Sequence, residues 1–156
     1  MSVKLIDHMG TDLSVVNAAR VSFAKENKEF QVVDDSRLIR YLAKHNHWSP
    51  FGHASLQFHV TAPVFVARQL VKHQVGLVWN EVSRRYVDSE PEFHFVEEWR
   101  GSPDNKKQGS SDEVIDISTH IQEDYINMCT YTYRYLLDKG VCPEQARMVL
   151  PQSMMT

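Results

Sequence analysis

Apolar and polar positions recur at two periods along the chain, and the changes of period mark its elements. VKLIDH reads as a short strand. Gly10 turns it into a helix capped by Thr11 or Asp12, with Leu13, Val16 and Val21 facing inward. After the mixed, polar stretch 26–33, a second helix starts at Asp34, Asp35 or Ser36, carries the stripe Leu38, Ile39 and Leu42, and ends near His45. His47 to Gly52 is punctuated by Pro50 and Gly52 and predicts a loop. ASLQFHV then alternates as a strand, with Leu56, Phe58 and Val60 on one face and Ser55, Gln57 and His59 on the other.

Pro63 suits the first turn of a helix through VFVARQLVKH, because its missing N–H costs nothing there. Arg68 and Lys72 would share a face of that helix. Gly76 breaks the pattern, and NEVSRRYV is a polar segment of loop or short helix. Residues 100–112 are turn-forming and poor in apolar side chains, which predicts a mobile surface excursion within a single domain spanning 1–156. From an Asp112 cap, Val114, Ile117, Ile121, Tyr125, Met128, Thr132 and Tyr135 recur at spacings of three and four, predicting one long helix that stops at Lys139 and Gly140. Pro143 opens a last helix, EQARMVL, curtailed by Pro151. The order of elements predicts an α+β fold: a small antiparallel sheet packed against several helices, one of them long. The tail QSMMT breaks off soon after a proline, as expected of a chain lacking its C-terminal segment.

Composition narrows the classes. With 156 residues, 42% of them hydrophobic and 24% charged, the chain can bury one core without disulfides or a structural metal. Two cysteines, Cys129 and Cys142, are no secreted framework, and no apolar run reaches the length of a membrane span, so a cytoplasmic protein is expected. The net charge of −3 gives no global attraction to nucleic acid, so any anion site must be local.

One such site is visible. Arg68, Lys72, Arg84 and Arg85 lie within eighteen residues and are interleaved with Gln69, His73, Gln74, Asn80, Glu81 and Ser83. Cations in that company suit a phosphate, and the amides, hydroxyl and carboxylate can read a polar ring such as a pyrimidine. A solvated basic face would have a similar composition, so composition alone leaves the choice open. The strings RQLVKHQ and NEVSRRY closely resemble the signature of the flavin-dependent thymidylate synthases, in which an Arg-Gln helix leads to Arg-His-Arg and then Asn-Glu-x-Ser-x-Arg-Tyr. DHMGTDLSVVNAARVSF, LIRYLAKHNHWSPFGHASLQFHVTAPVFVARQ and EQARMVLP resemble that family's segments in its order, leaving only 97–135 without a match.

The resemblance implies that Gln69, Leu70, Val71 and Lys72, with Glu81, Val82, Ser83, Arg84 and Arg85, contact deoxyuridine monophosphate (dUMP), and that Arg147 reaches its phosphate. It implies that His53, Ser55, Lys72, His73, Gln74 and Glu81 face FAD, that NADPH and methylenetetrahydrofolate are co-substrates, and that the enzyme is a homotetramer with active sites between subunits. Two departures stand out: Lys72-His73-Gln74 replaces Arg-His-Arg, and the spacing to Asn80 is one residue longer. Family members also continue beyond the position of Thr156.

The residues can be set against the chemistry. Adding a thiolate to uracil needs an exposed cysteine in an electropositive pocket. Cys129 sits in the long helix and Cys142 lies outside the charged cluster, so packing is the expected role of both, and a mechanism without an enzyme nucleophile follows. His45, His47, His53 and His59 match no compact zinc spacing, and no metal is expected. Tyr125 falls on the long helix's stripe, whereas Tyr131 and Tyr133 fall off it and mark a helix contact with another subunit. The alternatives are a catalytically incompetent nucleotide-binding or oligomerisation module and, more remotely, a single-stranded nucleic-acid binder.

Overall fold

The computed structural model describes residues 1–105, 107, 109–118 and 120–156. The fold is α+β, and the chain divides into two compact units, Ser2–Val60 and Thr61–Thr156, the latter taking Met1 as well.

In the first unit, strand β1 (Ser2–Met9) pairs with β2 (Ser55–Thr61). Both strands are solvent-exposed on both faces over most of their length, so the alternation of Leu56 and Phe58 builds a strand without burying them. Gly10 must be glycine: its φ is +78°, and a Cβ there would meet the His53 carbonyl oxygen at 2.7 Å. Helix α1 (Asp12–Arg20) starts at a capping box in which Thr11 N–H donates to Ser14 Oγ at 3.0 Å. It buries Val15 and Val16, whereas Val21, expected inward, lies in the following 3-10 turn and is exposed. Helix α2 (Val32–Lys44) begins two residues before the expected cap and buries Leu42.

The reason is Asp35. Its carboxylate is fully buried and accepts from Gln31 N–H at 2.8 Å, Arg20 Nη2 at 2.7 Å and Asn27 Nδ2 at 3.0 Å. Asn27 is itself held by Asn17, through Asn17 Nδ2 to the Asn27 carbonyl at 3.0 Å and Asn27 N–H to Asn17 Oδ1 at 2.9 Å. The polar stretch 26–33 therefore closes around one carboxylate, and Asp35 sits inside the first turn instead of capping it. The Gln31 N–H holds the Asp35 carboxyl below the usual aspartate value, against desolvation and with the help of Arg20 and Asn27.

In the second unit, helix α3 (Val64–Leu70) ends one turn before the expected limit. β3 (Trp99–Arg100) and β4 (Val114–Ile115) pair antiparallel, Trp99 opposite Ile115. Val114 thus belongs to a strand, and the long helix α4 (His120–Asp138) starts well after Asp112. Pairing with a strand fourteen residues upstream overrides the helical spacing of Val114 and Ile117. Of the expected excursion over 100–112, residues 106 and 108 lie outside the described residues, and its base is pinched by Gly101 N–H to the Glu113 carbonyl (2.8 Å) and Ser111 N–H to the Gly101 carbonyl (2.9 Å).

Helix α4 buries Ile126, Cys129 and Tyr133, not the expected stripe: Ile121, Tyr125, Met128 and Tyr135 are all exposed. The two sets are offset by one residue, about 100° around the axis. Tyr133, expected to mark a subunit contact, is a core residue at 1% exposure, whereas Tyr131 stacks on Tyr135 at the surface. Helix α5 (Pro143–Ala146) runs into a 3-10 turn, Arg147–Val149, after which a turn closed by Met154 N–H to the Pro151 carbonyl at 3.0 Å leads to bridges from Met154 to Phe93 and from Met155 to Pro63. Among the described residues no helix is long and apolar enough to cross a membrane.

Candidate functional site

Helix α3 buries Ala67 and leaves Arg68, Gln69 and Leu70 to solvent. The helix stops at Leu70, with Val71 N–H still donating to the Ala67 carbonyl at 3.0 Å, and His73 N–H then turns back to the Leu70 carbonyl at 3.0 Å. Lys72 therefore leaves from a turn and does not share a helical face with Arg68. The exposed side chains Lys72, His73 and Gln74 lead into a turn around Gly76, whose φ is +75°, closed by Leu77 N–H to the Gln74 carbonyl. Val75 and Val78 at this turn are fully exposed.

The second stretch, 80–86, has no regular structure until a turn in which Tyr86 N–H donates to the Ser83 carbonyl at 3.0 Å. Ser83 organises it. Its hydroxyl accepts from Arg85 Nε at 3.2 Å, and the Arg85 guanidinium carbon lies 5.0 Å from the centre of the Tyr86 ring. Arg85 is exposed and pairs with no carboxylate among the described residues, so its two Nη groups are presented to solvent. Arg84 is used differently: Nη1 donates to the Ser89 carbonyl and Nη2 to that of Glu90 at 3.5 Å, tying the turn to the next segment. Glu81 and Val82 are exposed.

Arg147 opens the 3-10 turn after α5, is exposed, and donates from Nε to the Glu144 carbonyl at 3.2 Å. The second unit thus holds Gln69 to Gln74, Glu81 to Arg85 and Arg147, whereas His53 and Ser55 belong to the first. There His53 closes the 3-10 turn Ser49–His53, and Ser55 opens β2, both exposed.

A groove of about 400 Å³ in the second unit is lined by Glu90, Phe93, Ile126, Asn127, Tyr131 and Arg134, among others, and by none of the residues singled out from the sequence. Glu90 and Arg134 form an ion pair at its edge, which holds the Glu90 carboxyl below its ordinary value. Among the described residues no group of three His, Cys, Asp or Glu side chains could hold a metal ion.

A family model described as thymidylate synthase complementing protein matches residues 4–156. The chain belongs to that family, the flavin-dependent thymidylate synthases. It is 42% identical over 155 residues to the flavin-dependent thymidylate synthase of Thermus thermophilus, covering 99% of this chain and 56% of the relative. The enzyme of that name from Thermotoga neapolitana is 41% identical over 158 residues, which make up 67% of it. A UMP/dUMP methylase from Streptomyces cacaoi, solved with 5-Br dUMP, superimposes with a TM-score of 0.80 at 33% identity, over 99% of this chain and 69% of that one. The chain spans about 56% of the length of the Thermus relative it matches.

Membership gives the exposed 72–78 turn a physical test. A flavin dinucleotide brings a diphosphate, and the residues present here offer one permanent cation, one imidazole and one amide, all exposed and none paired with a carboxylate among the described residues. That donor set fits an anionic linker, with less charge than three guanidinium or imidazole groups would bring. The two cysteines divide: Cys129 is buried in α4 as expected, but Cys142 is exposed ahead of α5, so packing does not account for it. Three positions have roles that the sequence does not show. The buried Asp35, the ring partner Tyr86 and the bridging Gln122 are each recognised only through partners brought in by the fold.

Proposed function

We propose that this chain carries the deoxyuridylate side of a thymidylate synthase that methylates dUMP to dTMP. In the overall reaction dUMP, methylenetetrahydrofolate, NADPH and a proton give dTMP, tetrahydrofolate and NADP+. FAD, when bound, would supply the hydride that completes the methyl group, with NADPH as the reductant. The chain's own residues bind, orient and polarise. Arg85 takes an anionic oxygen of the nucleotide, Gln69 and Glu81 read the pyrimidine edge, and Leu70, Val71 and Val82 line it. Arg147 holds the phosphate, while His53, Ser55, His73 and Gln74, with Lys72, face the flavin. No side chain acts as a nucleophile, and the working form is a cytoplasmic homotetramer whose sites lie between subunits.

The observation that carries this reading is Arg85. Ser83 and the Tyr86 ring fix its Nε side, so its outer donors are held in place before any anion arrives, which lowers the ordering cost of binding. The likeness to the Streptomyces UMP/dUMP methylase supports a uridylate as that anion.

The test is a titration of the purified chain with FAD, followed by the flavin's visible spectrum and fluorescence, with dUMP added at the end. Saturable binding perturbed by the nucleotide is the expected result. Absence of nucleotide binding by calorimetry would sink the reading.

A further inference from the structure

The first four N–H groups of a helix have no partner inside it. Helix α3 starts behind Pro63, which offers no side-chain cap, yet its first two N–H groups are satisfied. Val64 N–H donates to the Met154 carbonyl at 2.9 Å, and Phe65 N–H to that of Gln152 at 3.1 Å. The next two, Val66 and Ala67, reach back to the Pro63 carbonyl at 2.9 and 3.0 Å. Just outside the helix, Ala62 and Thr156 exchange two bonds, Ala62 N–H to the Thr156 carbonyl at 3.0 Å and Thr156 N–H to that of Ala62 at 2.8 Å. The helix that carries Arg68 and Gln69 is therefore capped by a segment more than eighty residues downstream.

That segment is held on its other side too. Met155 N–H donates to the Glu92 carbonyl and His94 N–H to the Ser153 carbonyl, both at 2.8 Å. Gln122 of α4 then clamps the 94–96 stretch, donating from Nε2 to the His94 carbonyl at 2.9 Å and accepting Val96 N–H on Oε1 at 3.2 Å. Residues 152–156 thus lie between α3 and a stretch anchored to the longest helix. They follow Arg147 directly, with only Met148 to Pro151 in between.

We propose that residues 152–156 are a positioning strap, whose carbonyls cap α3 and set Arg68 and Gln69 in register with Arg147, so that dUMP affinity depends on the Val64 to Met154 bond. This rests on the substrate reading above. The hydrogen bonds that hold the strap among the described residues are backbone bonds, so a single donor can be removed without touching a side chain of the nucleotide site.

Val64→Pro removes that donor. Pro is tolerated at the first helical position, and Pro63, at φ −67° and ψ 152°, already has the conformation a residue before proline requires. Val64→Ala loses the side chain but keeps the donor, and is the control. An ester in place of the Pro63–Val64 amide also deletes the N–H and serves if the proline variant does not fold; because it weakens the Pro63 carbonyl that accepts from Val66 and Ala67, its exchange is read at residues 68–71 only. In the full chain, amide exchange at residues 66–71 and the dUMP dissociation constant by calorimetry are compared among the three. The expected result is exchange faster and affinity weaker by about fivefold in the donor-free variants, with Val64→Ala near the parent. Donor-free variants matching Val64→Ala in either measurement overturn the strap, while a parent chain that binds no dUMP overturns the substrate reading itself. The two failures are told apart by the parent's titration.

Discussion

Arg20 donates from Nη2 to Oδ1 of Asp35 at 2.7 Å, and the carboxylate it reaches is wholly removed from solvent. The Gln31 N–H, Arg20 and Asn27 together keep that carboxyl below its ordinary value in the folded state. A depressed carboxylate stabilises the fold fully above the ordinary aspartate value, and the contribution fades as pH falls from there through the native value. Urea unfolding between about pH 5 and pH 2 will show the parent losing stability more steeply than Asp35→Asn, whose amide does not titrate. Parallel curves would show that Asp35 titrates alike folded and unfolded.

Ser83→Ala removes the hydroxyl that accepts from Arg85 Nε. The guanidinium then has to be ordered at the moment of binding, and dUMP affinity will drop by about 1 kcal/mol, roughly fivefold, in calorimetry. Thermal stability should hardly change, because both groups lie at the surface. An unaltered affinity would mean that Arg85 is not organised through Ser83.

Arg147→Ala deletes an exposed cation whose one hydrogen-bond partner among the described residues is the Glu144 carbonyl. Loss of a charge-assisted bond to a phosphate will weaken dUMP by about 1.5–3 kcal/mol. Deoxyuridine, which lacks the phosphate, should bind parent and variant equally. Equal dUMP affinity in the two proteins would remove Arg147 from the site.

Replacing Cys129 and Cys142 by Ser in one variant will leave dUMP-dependent NADPH oxidation intact in the active enzyme. Cys129 is buried on the packed face of α4 and cannot add to a ring outside the core, and Cys142 stands outside the 68–86 cluster. A folded double variant without turnover would demand a thiolate mechanism.

Tyr133 is 1% exposed, and its hydroxyl has no hydrogen-bond partner among the described residues. An unsatisfied buried hydroxyl costs more than it returns, so Tyr133→Phe will stabilise the chain by about 1 kcal/mol in denaturant unfolding. A destabilised phenylalanine variant would reveal a partner for that hydroxyl.

The sequence by itself determined the existence of α1, α2, β2 and α3, the glycine turns at Gly10 and Gly76, and the cluster running from Gln69 to Arg85. Those depend on spacing, caps and local strain, which neighbouring residues settle among themselves. The face of α4 was not legible, because Ile126, Cys129 and Tyr133 repeat at the same three-and-four spacing as Ile121, Tyr125 and Met128, and only packing chooses between two equally periodic faces. Nor was the start of α4, since pairing with Trp99 and Arg100 takes Val114 and Ile115 into a strand. Asp35 reads as a helix cap until Arg20, Asn17 and Asn27 close over it. That carbonyls of the tail QSMMT cap a helix eighty-odd residues upstream is not written in the residues of either segment. In each case the deciding partner is distant in sequence, and the bond it makes is a backbone or buried polar bond that no local pattern records.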